Sequence, residues 1–332
     1  MTKILRSIVI AAATLVAVIT LGGYILYSHE TDLDGKLVTI IIKPGTTMHQ
    51  VANELADKGV VSSALVTRLA ARYSGVDRKL TPGRYDFGGT NSPKSVLKRL
   101  ADADFVRIKV TIPEGNTIWK TATTLASDLK LDSAAIVNLG TDSAFLDKSG
   151  IPSLEGYLFP ETYYFPWGTS AEDAVSEMIA MYHEKTDKIW PQTIDGGLSR
   201  DDIIKLASII EAETGRSDER AIVSSVYHNR LRKNMKLDAD PTVIYGLGGL
   251  DRPLYRKDLS RNTPYNTYMH KGLPPTPINS PGLAAIQAAL NPEQTDYLFF
   301  VADENGRHYF SRTNAEQNRA IRRIKRARRN GS

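Results

Sequence analysis

The sequence predicts an α+β chain of 332 residues led by a membrane-crossing helix. Three observations carry that expectation. Ser7–Tyr27 (SIVIAAATLVAVITLGGYILY) is apolar and uncharged. Two segments offset by 70 residues repeat a strand, a glycine turn, a threonine and an amphipathic helix. Residues 199–230 then show helical periodicity, and their apolar run ends in two glutamates.

The apolar run has about 20 residues, enough for a bilayer core of about 30 Å. Lys3 and Arg6 precede it; Glu30, Asp32 and Asp34 follow. The positive-inside rule puts the first residues in the cytoplasm and the body outside. The run exceeds a signal-peptide core of about 7–15 residues, and GGYILYSHE offers no small-x-small cleavage site. An uncleaved anchor is therefore expected, with a signal peptide as the alternative.

Leu37–Ile42 (LVTIII) reads as a strand, followed by KPGTTMHQVANELADKGVV. The second copy opens at Val106 with VRIKVTI, then PEGNTIWKTATTLASDLKL. Gly45 matches Gly115, Thr47 matches Thr117, and Ala52, Leu55 and Ala56 match Ala122, Leu125 and Ala126. An internal duplication is the economical explanation. Between the copies, Leu80–Phe87 reads as a turn and strand, and Ser92-Pro93 opens a helix through Leu100. The strand–helix pattern resembles LysM-like modules, which hold N-acetylated glycans in other proteins; a plain spacer is the alternative. The expected segments are an anchor over 1–34, a LysM-like domain over 35–150, an α+β domain over 151–318 and a basic tail over 319–332.

In the second domain, LEGYLFPETYYF sets Glu155 and Glu161 among aromatics, a composition common in carbohydrate sites and also met in core loops. Thr169 with Glu172 predicts a capped helix to Tyr182. Ser199 with Asp202 caps the next, whose apolar face is Ile203, Ile204, Leu206, Ala207, Ile209 and Ile210, with Gly215 as its C-cap. Glu211 and Glu213 end that face. Residues two apart on a helix point roughly 160° from each other, so each glutamate occupies one edge. Partial desolvation there raises a carboxyl pKa toward that of a general acid. The alternative is a solvated or ion-paired acid, with Arg216 or Arg220 as partner.

Asp218–Arg230 reads as a further helix carrying Asn229. Asp240-Pro241 reads as an N-cap and first helical residue. Thr263–Pro281 contains five prolines around Tyr265, Asn266, Thr267 and Tyr268; a loop stiffened this way shapes a site. Ser280-Pro281 caps a helix through Leu290, Tyr297–Val301 and His308–Ser311 form a hairpin, and Thr313 caps a last helix.

Composition narrows the chemistry. There is no cysteine, hence no disulfide or thiolate. Arg319–Arg329 holds seven basic residues and no acid, so the net charge of +5 becomes −2 for the rest. No basic surface for nucleic acid is expected. His29, His49, His183, His228, His270 and His308 show no ligand spacing, and no G-x-S-x-G, P-loop or H-E-x-x-H is present. Carboxylate chemistry on a glycan is what remains.

LASIIEAET, VYHNRL, DPTVIYGLG, YNTY, GLPPTPINSPG and YLFFVAD, in this order and with LEGYLFPETY upstream, resemble the endolytic murein transglycosylase family (YceG-like) over residues 8–318. The resemblance implies cleavage of the β-1,4 bond from N-acetylmuramic acid to N-acetylglucosamine. It places the catalytic glutamate on the first Glu of E-x-E-T, Glu211, and a supporting tyrosine on Tyr265. Patterning alone leaves Glu211 and Glu213 equivalent. Substrate contacts are expected among Glu155, Glu213, Asn229, Asp240, Thr242, Asn266, Thr267 and Tyr268. No cofactor is expected, and the scattered histidines predict no metal site. The implied partners are peptidoglycan strands, peptidoglycan synthases of the elongation or division machinery, and the inner membrane through the N-terminal helix. Two alternatives stay open: a hydrolase of the same bond using Glu161, Glu213 or Asp240 as base, and a non-catalytic glycan-binding scaffold. The basic tail is either an electrostatic contact for anionic lipid or wall polymer, or a solvated disordered end.

Overall fold

The structure, a computed structural model, describes residues 2–330. Its contacts gather into two compact units: the chain up to Ile108 together with Tyr164–Gly168, and Lys109–Tyr163 together with the chain from Thr169. The mixture of helices and short strands is of the α+β kind. The expected boundary at residue 150 does not coincide with this division.

The first unit opens with α1 (Thr2–Ser28), of which Ile4–Ser28 is long and apolar enough to cross a membrane. β1 (Thr31–Asp32) pairs with β4 (Thr90–Asn91). β2 (Val38–Ile42) runs antiparallel to β3 (Gly83–Phe87), with Ile40 opposite Tyr85. Alternation along the strands turns Ile40, Ile42, Tyr85 and Phe87 inward. Helices α2 (Met48–Asp57), α3 (Ala64–Ser74) and α4 (Pro93–Ala101) cover them with Val51, Leu55, Val96, Leu97 and Leu100. The expected caps form: Thr47 with Gln50 and Ser92 with Ser95 make capping boxes, with Pro93 in the first turn.

The second copy of the repeat begins at β5 (Arg107–Thr111), which pairs with β6 (Thr162–Pro166). Thr117 caps α5 (Ile118–Leu129) as Thr47 caps α2, and Gly115 takes φ +75° as Gly45 takes +82°. α6 (Ser133–Asn138) and α7 (Ser143–Ser149) follow. α8 (Ala171–Thr186) is capped by Ser170 with Asp173, one residue later than Thr169 with Glu172.

The core of the second unit is α9 (Arg200–Glu213). Its capping box of Ser199 and Asp202 forms as read, and the whole predicted apolar face is buried. Around it lie α10 (Arg220–Arg232), α11 (Asp240–Gly246) and α12 (Leu283–Leu290). Ala285, Ala288 and Ala289 on α12 keep the side-chain layer against α9 thin. β7 (Phe299–Ala302) and β8 (His308–Ser311) form the expected hairpin, with Phe300 opposite Phe310. α13 (Asn314–Asn330) continues as helix through the described part of the basic tail. A disordered end is not what these residues form.

Four further helix ends differ from expectation. Thr214, in extended conformation at φ −144°, ends α9, and Gly215 has no positive φ. α10 starts two residues after Asp218. The N-cap of α11 is Ala239, because the Asp240 carboxylate bonds Tyr268 instead of its own backbone. The N-cap of α12 is Gly282, past Ser280-Pro281, and the Ser280 N–H is bonded to Asn116 O.

Candidate active site

The last turn of α9 carries Glu211. The proline-rich loop is stitched to that helix by three bonds. Ile278 N–H donates to Ser208 Oγ at 3.0 Å, the Asn279 amide donates to Ser208 O at 2.8 Å, and Gly282 N–H donates to Glu211 Oε2 at 3.0 Å. The turn before α5 joins the same loop through Gly115 N–H to Ser280 O at 2.9 Å and Ser280 N–H to Asn116 O at 2.8 Å. Arg220 of α10 completes the setting, its Nη2 donating to Glu211 Oε1 at 3.1 Å. Glu211 is therefore a nearly enclosed carboxyl, 7% exposed, with one backbone donor and one cation.

Its proton affinity reflects opposed effects. Burial raises the pKa above the ordinary carboxyl value; Gly282 N–H and Arg220 pull it back, and neighbouring Glu114 pushes it up. Two clefts open beside this carboxyl. One of about 600 Å³ is lined by its neighbours Gly115 and Ala212, and by Trp119, Lys120, Ile244, Tyr245 and Asn279. The other, of about 530 Å³, is lined by Arg220, Ala221, Ala284 and Gln287.

Glu213 occupies the opposite edge of the helix, as the 100° step requires. It accepts from Tyr227 O–H at 2.9 Å, and desolvation pushes its pKa up to about 7. It has none of the partners of Glu211.

Glu155 is 5% exposed and accepts from Ile118 N–H at 3.1 and 3.2 Å, at the start of α5, and from Tyr245 O–H at 3.0 Å. Burial pushes its pKa up to about 7 against those donors. Tyr245 then packs edge-on against Tyr265, with centroids 4.8 Å apart, and beside Trp119 at 5.3 Å. Tyr265 bonds Thr276 Oγ1 at 3.0 Å. Glu155 thus holds one wall of the larger cleft without lining it.

The remaining expected residues are placed as supports. Tyr268 O–H donates to Asp240 at 2.7 Å. Thr267 and Thr242 share a hydroxyl contact at 2.9 Å, and Thr267 Oγ1 accepts from Ala239 N–H. The Asn266 amide donates to Leu259 O and Arg261 O. Together these fasten the Tyr265–Tyr268 segment to the start of α11. The Asn229 amide donates to Thr295 O and Tyr297 O ahead of the hairpin. Glu161 lies 3.7 Å from Lys185. Among the described residues no group of three His, Cys, Asp or Glu could hold a metal ion.

Glu114, Gly282, Trp119 and Tyr245 were not singled out by sequence; Arg220 was read as an ion-pair partner for the glutamates, and it pairs with Glu211. A signal existed for Glu114: the first repeat copy has Pro44 at the matching position. The structure brings Glu211, Arg220, Glu114 and Gly282 together, and separately Glu155, Tyr245 and Tyr265.

The YceG-like family profile matches residues 40–323. An endolytic murein transglycosylase of Bacillus subtilis is 32% identical over 90% of this chain and 89% of its own length. One from Streptococcus pneumoniae is 27% identical over 95% of this chain and 65% of its own length. The crystal structure of a YceG-like protein from Listeria monocytogenes superposes with TM-score 0.57 at 31% identity, covering 86% of this chain and all of that one. A profile spanning most of the chain and a relative matched over nearly its full length place this chain in the YceG-like family.

Proposed function

We propose that this chain is an endolytic peptidoglycan lytic transglycosylase, cutting the MurNAc-β-1,4-GlcNAc bond with Glu211 as its acid and base. One observation carries the reading: a single buried carboxyl, held by a backbone N–H and a guanidinium, set beside two open clefts. The named relatives support it.

The reaction needs one carboxyl. Protonated Glu211 gives its proton to the leaving glycosidic oxygen as the C1–O bond breaks and oxocarbenium character develops at C1. The carboxylate left behind is stabilised by Gly282 N–H and Arg220, already in place. It then takes the proton of the muramyl O6 hydroxyl as that oxygen closes on C1. The product is a 1,6-anhydro end, and Glu211 is protonated again. Burial favours the protonated form of this acid, and the two donors ease its ionisation, the balance general-acid chemistry requires. Tyr265 acts from the wall it forms with Tyr245, toward the N-acetyl group. Glu155, Glu213, Asn229, Asp240, Thr242, Asn266, Thr267 and Tyr268 act through the walls they hold; the sugar-facing surface is that of Trp119, Lys120 and Tyr245.

A water-using reaction at the same bond is the second reading, favoured by Glu114, whose carboxylate shares Arg220 with Glu211. Mass spectrometry of fragments released from purified peptidoglycan separates the two. Anhydro ends, lighter by one water and lost in Glu211→Gln, support the transglycosylase; reducing ends mean a hydrolase; no release from the full chain would sink both.

The wider setting belongs to the same proposal. α1 anchors the chain once in the cytoplasmic membrane with its N-terminus inside. The β2–α2–α3–β3 unit serves as a LysM-like glycan-binding module, and peptidoglycan synthases are the partners whose nascent strands are cut.

A further inference from the structure

The carboxylate of Glu114 meets both groups that hold Glu211. Arg220 Nη2 is 3.1 Å from Glu211 Oε1 and 3.7 Å from Glu114 Oε2. Gly282 donates its N–H to Glu211, and its α-carbon lies against Glu114: a Cβ added there would fall 1.9 Å from Glu114 Oε1. One guanidinium and one glycine therefore sit between two carboxylates whose nearer oxygens are at most about 7 Å apart. Their exposures differ, with Glu211 at 7% and Glu114 at 49%. Arg220 is 12% exposed and its Nε is buried without a hydrogen-bond partner; among the described residues its ion pairs run through Nη2 to these two acids.

The pairing matters because an uncompensated guanidinium against a buried carboxyl favours the ionised form. An acid held that way has no proton to give. The charged groups facing Glu211 are Arg220 on α10 and Glu114 on the turn before α5; the start of α12 adds the Gly282 N–H dipole. Glu114 is fixed there by the backbone bonds of Gly115 and Asn116 to Ser280. The repeat does not need an acid at this position, since its first copy has Pro44.

We propose that Glu114 is a positioning residue of this site: it divides Arg220 between two acids, so that Glu211 faces a neutralised cation and keeps the proton it must donate. The inference rests on the reading of Glu211 as the general acid.

The test uses the full chain in detergent on purified peptidoglycan, with product release followed from pH 5 to 8.5 in wild type, Glu114→Gln, Glu114→Asp, Arg220→Gln and the Glu114→Gln/Arg220→Gln double variant. In Glu114→Gln the basic limb of the rate profile moves down by about one pH unit, as expected for losing one charge at this range. The rate then falls about tenfold on the basic side, stays near wild type at pH 5, and KM does not change. Glu114→Asp keeps the wild-type limb. On the Arg220→Gln background the Glu114→Gln shift disappears, because Glu114 acts through Arg220. An unmoved limb overturns the proposal. So does a uniform loss at every pH or a raised KM, which would mean that Glu114 meets the substrate itself. If Glu114→Gln disturbs the turn, Glu114→Ala replaces it. A ¹³C-carboxyl titration of Glu211, assigned with Glu211→Gln, reads the same quantity without turnover: a lower midpoint without the Glu114 charge supports the proposal, and an equal one refutes it. A wild type that releases no product defeats the proposed reaction and leaves that titration to decide Glu114.

Discussion

Glu155→Gln should make the second unit less stable than wild type at pH 5 and more stable at pH 8. Glu155 is buried, and its pKa rises to about 7 against an ordinary value of 4.5. A carboxyl whose folded pKa lies above its unfolded one contributes stability that is full below the unfolded value and lost as pH rises through the folded value. The window is therefore about pH 4.5 to 7, and between pH 5 and 8 the wild type loses about 2.5 kcal/mol through this group. Glutamine does not ionise and shows no such loss. It does lose hydrogen-bond quality, since the amide nitrogen that replaces one carboxyl oxygen cannot accept and one of the three contacts from Ile118 N–H and Tyr245 O–H is lost, a cost of about 1 kcal/mol at any pH. The difference between variant and wild type then changes sign across the window. Denaturant unfolding at the two pH values, read by tryptophan fluorescence with Trp167 and Trp190 replaced by phenylalanine so that Trp119 alone reports, checks it. Equal differences at pH 5 and 8 would mean that Glu155 is ionised throughout and that its donors outweigh its burial.

Three further outcomes are expected. Glu211→Gln should lower product release by about 10²–10⁴-fold while Glu213→Gln stays within a few fold, measured on peptidoglycan at neutral pH. Ser208→Ala leaves the buried Ile278 N–H without its acceptor; it should cost about 1–3 kcal/mol in denaturant unfolding and lower kcat severalfold, because the loop that carries Gly282 loses a tie to α9. Gly282→Ala drives a methyl into Glu114 Oε1 and should reproduce the pH profile of Glu114→Gln; an unchanged profile would show that the loop yields without moving the acid.

What was legible in the sequence was local. The Ser199–Asp202 box and the apolar period of α9 follow from residues within one or two turns of each other, and both formed. So did the Thr47 and Thr117 caps. The opposed edges of Glu211 and Glu213 follow from helix geometry, and the structure gives the two glutamates separate partners. One failure has a plain cause, a distant group that outcompeted the local one: Asp240 read as a cap, yet the Tyr268 hydroxyl, 28 positions on, takes its carboxylate. Arg220, nine positions beyond Glu211, was within reach of the sequence as an ion-pair partner and does pair with it; Glu114 and Gly282 converge on Glu211 only through chain closure, with Gly282 71 positions away, and nothing local marks that meeting. The polar Asn266–Tyr268 run looked like sugar-binding chemistry because such residues serve sugars and backbone equally well; here they bond carbonyls, a threonine and Asp240.

The repeat has a consequence for ancestry. A turn with glycine at φ +82° and a threonine-capped helix occurs at Lys43–Thr47 without an acid, and again at Pro113–Thr117 with Glu114. The scaffold of one side of the candidate site thus occurs twice in the same chain, once without and once with an acid. The same turn folds with proline or with glutamate beside its glycine, so the turn itself does not call for the acid. The silent copy is a control that the molecule carries within itself. Transplanting Lys43–Thr47 into the second position asks how much of the site is inherited architecture and how much is one acquired side chain.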